Sequence, residues 1–208
     1  MTSFELQLED LHRAYREWAG EPFSTSTFRR ENRPPAVPAA LDVLCYRSTD
    51  EDRLRPENEF TFFATAGLSL QDAHGLSGRI ELTWRLAGRR SWEEIEALAE
   101  ALAELAVLPM YGPVLFVPGA VVRNLSLPVF RDMDSLLITH WGVHSPEYLP
   151  GVQPPIGLLS IKPLFGSEAA MVESMGVSEA CRRFLLEGID WDDPARACAT
   201  LQRERDDI

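Results

Sequence analysis

"GRIELTWRLAGRRSWEEIEALAEALAELAV", residues 78–107, decides the fold class. Its first half alternates. Ile80, Leu82, Trp84 and Leu86 fall on one side and Glu81, Thr83 and Arg85 on the other, the two-residue period of a strand. The period then changes. Trp92, Ile95, Leu98, Leu102 and Leu105 recur at helical spacing and are expected to form a buried face. Ser91 stands where an N-cap belongs, and Glu94 completes a capping box. Pro109 is expected to end this helix, giving 91–107. Glu93, Glu96, Glu100 and Glu104 stack opposite the apolar face, within about a quarter of the helical circle.

Upstream, "FTFFATAGLS" (60–69) and "LDVLCYRS" (41–48) read as strands separated by a polar loop. Residues 21–40 are rich in Pro, Ser and Thr and read as a connection. Before them, Phe4, Leu8, Leu11, Tyr15 and Trp18 make a helical apolar stripe, with Thr2 and Glu5 as a capping box and Gly20 as its stop. Downstream, "PVLFVPG", "AVVRNLSLP", "SLLITHWG" and "IGLLSIKPL" read as short strands. Two helices, 167–175 and 178–188, close the domain. Strands do not alternate one for one with helices, so the expected class is α+β, a mostly antiparallel sheet with helices packed against it. The expected organisation is an N-terminal helix (1–20), the connection (21–40), the main domain (41–190) and an acidic tail (191–208).

The chain has 208 residues and a formal net charge of −12, with pI near 4.8. That charge repels nucleic-acid phosphates, and the small basic cluster of Arg29, Arg30 and Arg33 does not offset it. It suits a basic protein partner, or solubility alone. The longest uncharged run, Leu105 to Val122, contains three prolines and is not a membrane helix. The sparse cysteines, Cys45, Cys181 and Cys198, show no metal spacing, and the N-terminus is not a secretory signal. The expectation is a cytoplasmic protein with no membrane partner and no cofactor.

Motifs for chemistry are few. His140 and His144, beside Trp141 and ahead of Glu147, are four residues apart, which on a helix places two ligands on one face. This stretch is strand-like before Gly142, and along a strand the pair would lie about 13 Å apart, too far to share an ion. An interaction loop is the better reading. Cys45 and Cys181 lie in apolar settings, and Asp132 and Asp134 continue into no EF-hand loop. "GLSLQ" is not a nucleophile elbow, and no phosphate-binding or dinucleotide-binding glycine motif occurs.

Several segments in order resemble the suppressor-of-fused domain family in its single-domain bacterial form. They are "TAGLS" (65–69), with Leu68 in a methionine's place; "RIELTWRL" (79–86); the helix exit "AELAVLPMYG" (103–112); Pro118-Gly119; "SIKPLFGSEAAMV" (160–172); and Gly176. "DVLCY" (42–46) is similar to the family's first sheet strand. Ala120 departs from the polar residue expected after Pro-Gly, and neither 137–154 nor the tail matches. The resemblance implies a compact α+β domain without an established catalytic centre. It also implies protein binding: animal members hold a transcription factor inactive, in part by strand addition, and bacterial relatives look like immunity proteins that neutralise a toxin.

These readings together give a non-enzymatic domain that binds a protein, with an immunity role against a basic toxin domain as the specific expectation. The expected contact residues are Glu93, Glu96, Glu100 and Glu104, with the loop of His140, Trp141 and His144. The alternatives are an enzyme built on His140, His144 and Glu147, and a structural or regulatory module with no toxin partner.

Overall fold

The computed structural model describes residues 3–29, 40–48, 59–70, 78–130, 132–140 and 146–199. The elements run α1 (Ser3–Ala19), β1 (Ser24–Arg29), β2 (Ala40–Arg47), β3 (Phe60–Ala66), β4 (Ile80–Ala87), α2 (Trp92–Tyr111), β5 (Val121–Val122), β6 (Ser135–Thr139), β7 (Gly157–Leu164), α3 (Gly166–Met175) and α4 (Val177–Leu186). All seven strands join one sheet in the order β1-β2-β3-β4-β7-β6-β5. Every pairing is antiparallel except β4 with β7, where Leu82 lies opposite Leu159. That parallel pair requires a long crossover, and α2 lies within it.

The alternation in β4 places Leu82, Trp84 and Leu86 in the largest core cluster. With Val43, Phe63, Ile138 and Ile161 they meet Ile95, Leu98 and Leu102 of α2. Burying each such aliphatic side chain stabilises the fold by roughly 1.5–3 kcal/mol before entropy is counted. The opposite side of the sheet is covered in two patches. Leu11 and Tyr15 of α1 pack on Leu44, Tyr46 and Phe62, while Ala169, Ala180 and Phe184 of α3 and α4 pack around Leu137 and Leu164.

The capping box of α2 forms as expected: Glu94 N–H donates to Ser91 Oγ at 3.2 Å, and Ser91 N–H to Glu94 Oε2 at 2.8 Å. Its end differs from expectation. The helix continues through Pro109 to Tyr111, where Gly112 N–H still donates to the Leu108 carbonyl. So near the end, proline removes a single intrahelical bond and the ring can be buried. Trp92 also departs from expectation. As the first helical residue it projects beyond the packed face and is 53% exposed.

Residues 21–40, read as a connection, include β1, whose polar "STSTFR" pairs with β2 along its whole length. "PVLFVPG" forms no extended strand, and β5 spans only two residues of "AVVRNLSLP". Thr2, of the expected first cap, lies outside the described residues. Past α4 the chain turns back onto the sheet. Asp192 accepts from Arg85 Nη1 at 2.8 Å and from Lys162 Nζ at 2.7 Å, while Ala87 N–H donates to its carbonyl at 2.7 Å. The fully buried Glu168 carboxylate takes two bonds at 2.7 Å from Arg196 and one at 2.9 Å from Ala199 N–H.

Candidate protein-binding site

The helix α2 carries no lysine or arginine. Ile95, Leu98, Leu102 and Leu105 are buried, which turns Glu93, Glu96, Glu100 and Glu104 to solvent. The row extends for roughly 16 Å along the helix axis. Among the described residues, none of these four carboxylates has an ion-pair partner. The surface presented is a ridge of uncompensated negative charge.

At the N-terminal end of this ridge, Trp92 meets Phe23 edge-on, with centroids 5.8 Å apart, and the Arg47 guanidinium lies 3.8 Å above the Phe23 ring. Phe23 is 48% exposed, so the pair forms an aromatic patch beside β1. β1 is the outermost strand of the sheet, and among the described residues its outer edge has no strand partner.

His140 is exposed at the end of β6, while Trp141 and His144 lie outside the described residues. Glu147 is exposed, and its backbone carbonyl accepts from Leu158 N–H at 2.9 Å. Among the described residues no group of three or more His, Cys, Asp or Glu side chains is placed to hold a metal ion. Burial pushes the Cys45 thiol up to about 11, the opposite of what a nucleophile requires. Burial also raises the Cys181 thiol above its ordinary value. Among the described residues, no helix is long and apolar enough to cross a membrane.

The alternation in β4 concealed one residue. Glu81, on the polar side of the strand, is fully buried. Its carboxylate accepts from the Thr65 hydroxyl at 2.6 Å and from the backbone N–H groups of Gly67, Leu68 and Ser69 at 3.0, 3.3 and 2.9 Å. The Thr65 side-chain oxygen accepts in turn from Leu82 N–H at 2.8 Å, and Tyr15 O–H donates to the Thr65 carbonyl at 2.9 Å. Gly67 has φ +117, and a Cβ there would sit 3.2 Å from the Ala40 carbonyl oxygen, so only glycine makes this turn without strain. "TAGLS" and the glutamate of "RIEL" are therefore one hydrogen-bonded unit. Burial raises the Glu81 carboxyl above its ordinary value, and the bonds from Thr65, Ser69 and Gly67 pull it back.

A family model described as suppressor of fused protein (SUFU) matches residues 38–197. The chain belongs to the suppressor of fused family. The match takes in both halves of the Glu81 unit and continues to Arg196, the residue that clamps Glu168. Three solved structures share the SUFU fold. A SUFU homolog from Neisseria gonorrhoeae FA 1090 is 18% identical with a TM-score of 0.67, covering 94% of this chain and 97% of its own. The structure of a Sufu–Fu complex gives 14% identity and a TM-score of 0.55, covering 97% and 94%. Drosophila Suppressor of Fused gives 15% and 0.58, covering 96% of this chain and 53% of the fly protein. Comparison with curated protein sequences gives no match. At these identities the structural likeness concerns the fold.

Proposed function

We propose that this SUFU domain is a non-catalytic module that binds a basic protein partner across the acidic face of α2. The observation that carries the reading is the row Glu93, Glu96, Glu100 and Glu104, exposed and without cationic partners among the described residues. Four like charges on one helix repel one another by a few tenths of a kcal/mol per pair, a cost that a cationic partner removes. Such a face also steers a basic protein into contact and speeds association. A related fold in complex with Fu supports protein binding as the activity. The edge of β1, without a strand partner among the described residues, extends the proposed contact surface, and the loop of His140, Trp141 and His144 is proposed as a further contact.

The partner class we favour is a basic toxin domain such as a nuclease, which makes the protein its immunity factor. The net charge of −12 supports this choice. A tagged pull-down from the native host tests it, with a near-stoichiometric basic partner expected. Reversing all four glutamates to lysine is expected to abolish that retention while leaving the folded spectrum unchanged. Undiminished retention by the reversed protein would remove α2 from the interface.

A further inference from the structure

Beside the acidic row lies a cavity of about 170 Å³. Trp84, Leu105, Leu108, Leu125 and Leu127 line it, and Glu104 is its one charged residue. The indole N–H of Trp84 is buried and has no acceptor among the described residues. A buried donor without an acceptor is costly and calls for a reason. The ring cannot turn to find one, because it stacks on Phe130 with centroids 5.5 Å apart and planes 18° apart. Arg123, which precedes the wall residue Asn124 in sequence, donates to Glu173 at 2.9 and 2.8 Å.

We infer that this cavity is the anchoring pocket of the acidic face and receives one leucine-sized side chain of the partner, flanked by lysine or arginine. The inference rests on the reading of α2 given above and specifies what that surface selects. The volume matches one aliphatic side chain, since a dry cavity of about 150 Å³ holds a benzene-sized guest. The walls are largely apolar, which excludes a charged head group from the interior. Glu104 at the cavity and Glu100 one turn back face the positions beside an inserted side chain, and these select cations. The Trp84 ring forms part of the cavity wall, so an inserted side chain changes the surroundings of its indole. The walls come from α2 and from the 124–127 segment. In that segment Asn124 has φ +59, and Leu125 N–H is tied to the Asp134 carbonyl at 2.8 Å. A buried apolar anchor with a charged rim is the usual anatomy of a binding hot spot.

Two capped pentapeptides test the inference, Arg-Lys-Leu-Lys-Arg and its glycine-centred counterpart, titrated into the ¹⁵N-labelled protein. The Trp84 indole N–H gives its own resonance. The leucine peptide is expected to shift it and to bind roughly tenfold tighter than the glycine peptide, the gain from burying one leucine side chain. Ala101→Phe, which fills the cavity from its helix wall, is expected to erase that difference while retaining the weaker, charge-driven binding. Equal affinities with shifts confined to the glutamate row would overturn the pocket and leave the acidic face standing. Failure of both peptides to move any α2 resonance would overturn the pocket together with the reading it rests on. The two-peptide comparison on the wild-type chain decides the matter even if the Ala101 variant does not fold.

Discussion

Replacing Glu81 with leucine tests the central structural argument. The substitution removes a charge from a fully buried site, and exchanging buried ionic groups for apolar ones is often neutral or stabilising. Here the reverse is expected, because the partners of the charge cannot be removed with it. Three of the four donors are backbone N–H groups, of Gly67, Leu68 and Ser69. Each buried donor left without an acceptor costs about 1–3 kcal/mol. The contact from Leu68 is the longest and is counted at the low end, so the donors together cost about 4–5 kcal/mol. Removing the desolvated carboxylate returns about a third of that, leaving a net loss of about 3 kcal/mol. With an m-value of roughly 2–3 kcal/mol per molar in urea, the unfolding midpoint is expected to fall by at least about 1 M. Equilibrium urea unfolding followed by tryptophan fluorescence gives the number. A Glu81→Leu variant within about 0.5 kcal/mol of the parent would show that the carboxylate does not organise this turn, and the reasoning would fail.

Three further outcomes are expected. Burial raises the Glu81 carboxyl, so the folded state holds its proton more tightly than the unfolded chain. The stability owed to this group is full below the unfolded carboxylate value near about 4 and declines as pH rises through the folded one, and subtracting a Glu81→Gln stability–pH curve from that of the parent should show this downward slope. Arg196→Ala leaves the buried Glu168 carboxylate without its cation and should cost about 3–5 kcal/mol, with faster hydrogen exchange at the Ala199 amide, which donates to the same carboxylate. Val129 holds φ +63, an arrangement worth about 1–2 kcal/mol of strain in a residue with a Cβ, so by thermal unfolding Val129→Gly should be more stable than Val129→Ala by about 1 kcal/mol.

What the sequence revealed follows from which interactions are local. The cap at Ser91 and Glu94 spans three residues, and the stripe of α2 repeats every turn, so both were legible and both are present. So was the run of strands in β2, β3, β4, β6 and β7. β1 was not, because this edge strand buries no residue fully and only alternate ones in part, and "STSTFR" has a composition that otherwise marks a loop. Alternation in β4 identified the strand correctly but could not tell that its polar side is covered as well. The "TAGLS" motif held that information, since a glycine in a tight turn beside a lone strand glutamate signals a carboxylate caught by backbone amides. Of the proposed contact residues, the four glutamates are exposed where the helical period put them. The leucines of 124–127 that wall the cavity have no periodicity to announce them, and Trp84 was legible only as core.

The return of the chain onto the sheet has a consequence for how the protein is made. Arg85 and the carboxylate that neutralises it are 107 residues apart, and Lys162 waits for the same Asp192. A growing polypeptide leaves the ribosome amino end first. Arg85 waits 107 residues for Asp192, Lys162 waits 30 for the same carboxylate, and Glu168 waits 28 for Arg196. Closure across so long a span is slow and comes last. Translation that halts between α4 and Asp192 would leave every strand in place and the domain unsealed, so a product that stops there is expected to be as vulnerable to proteases as a far shorter one.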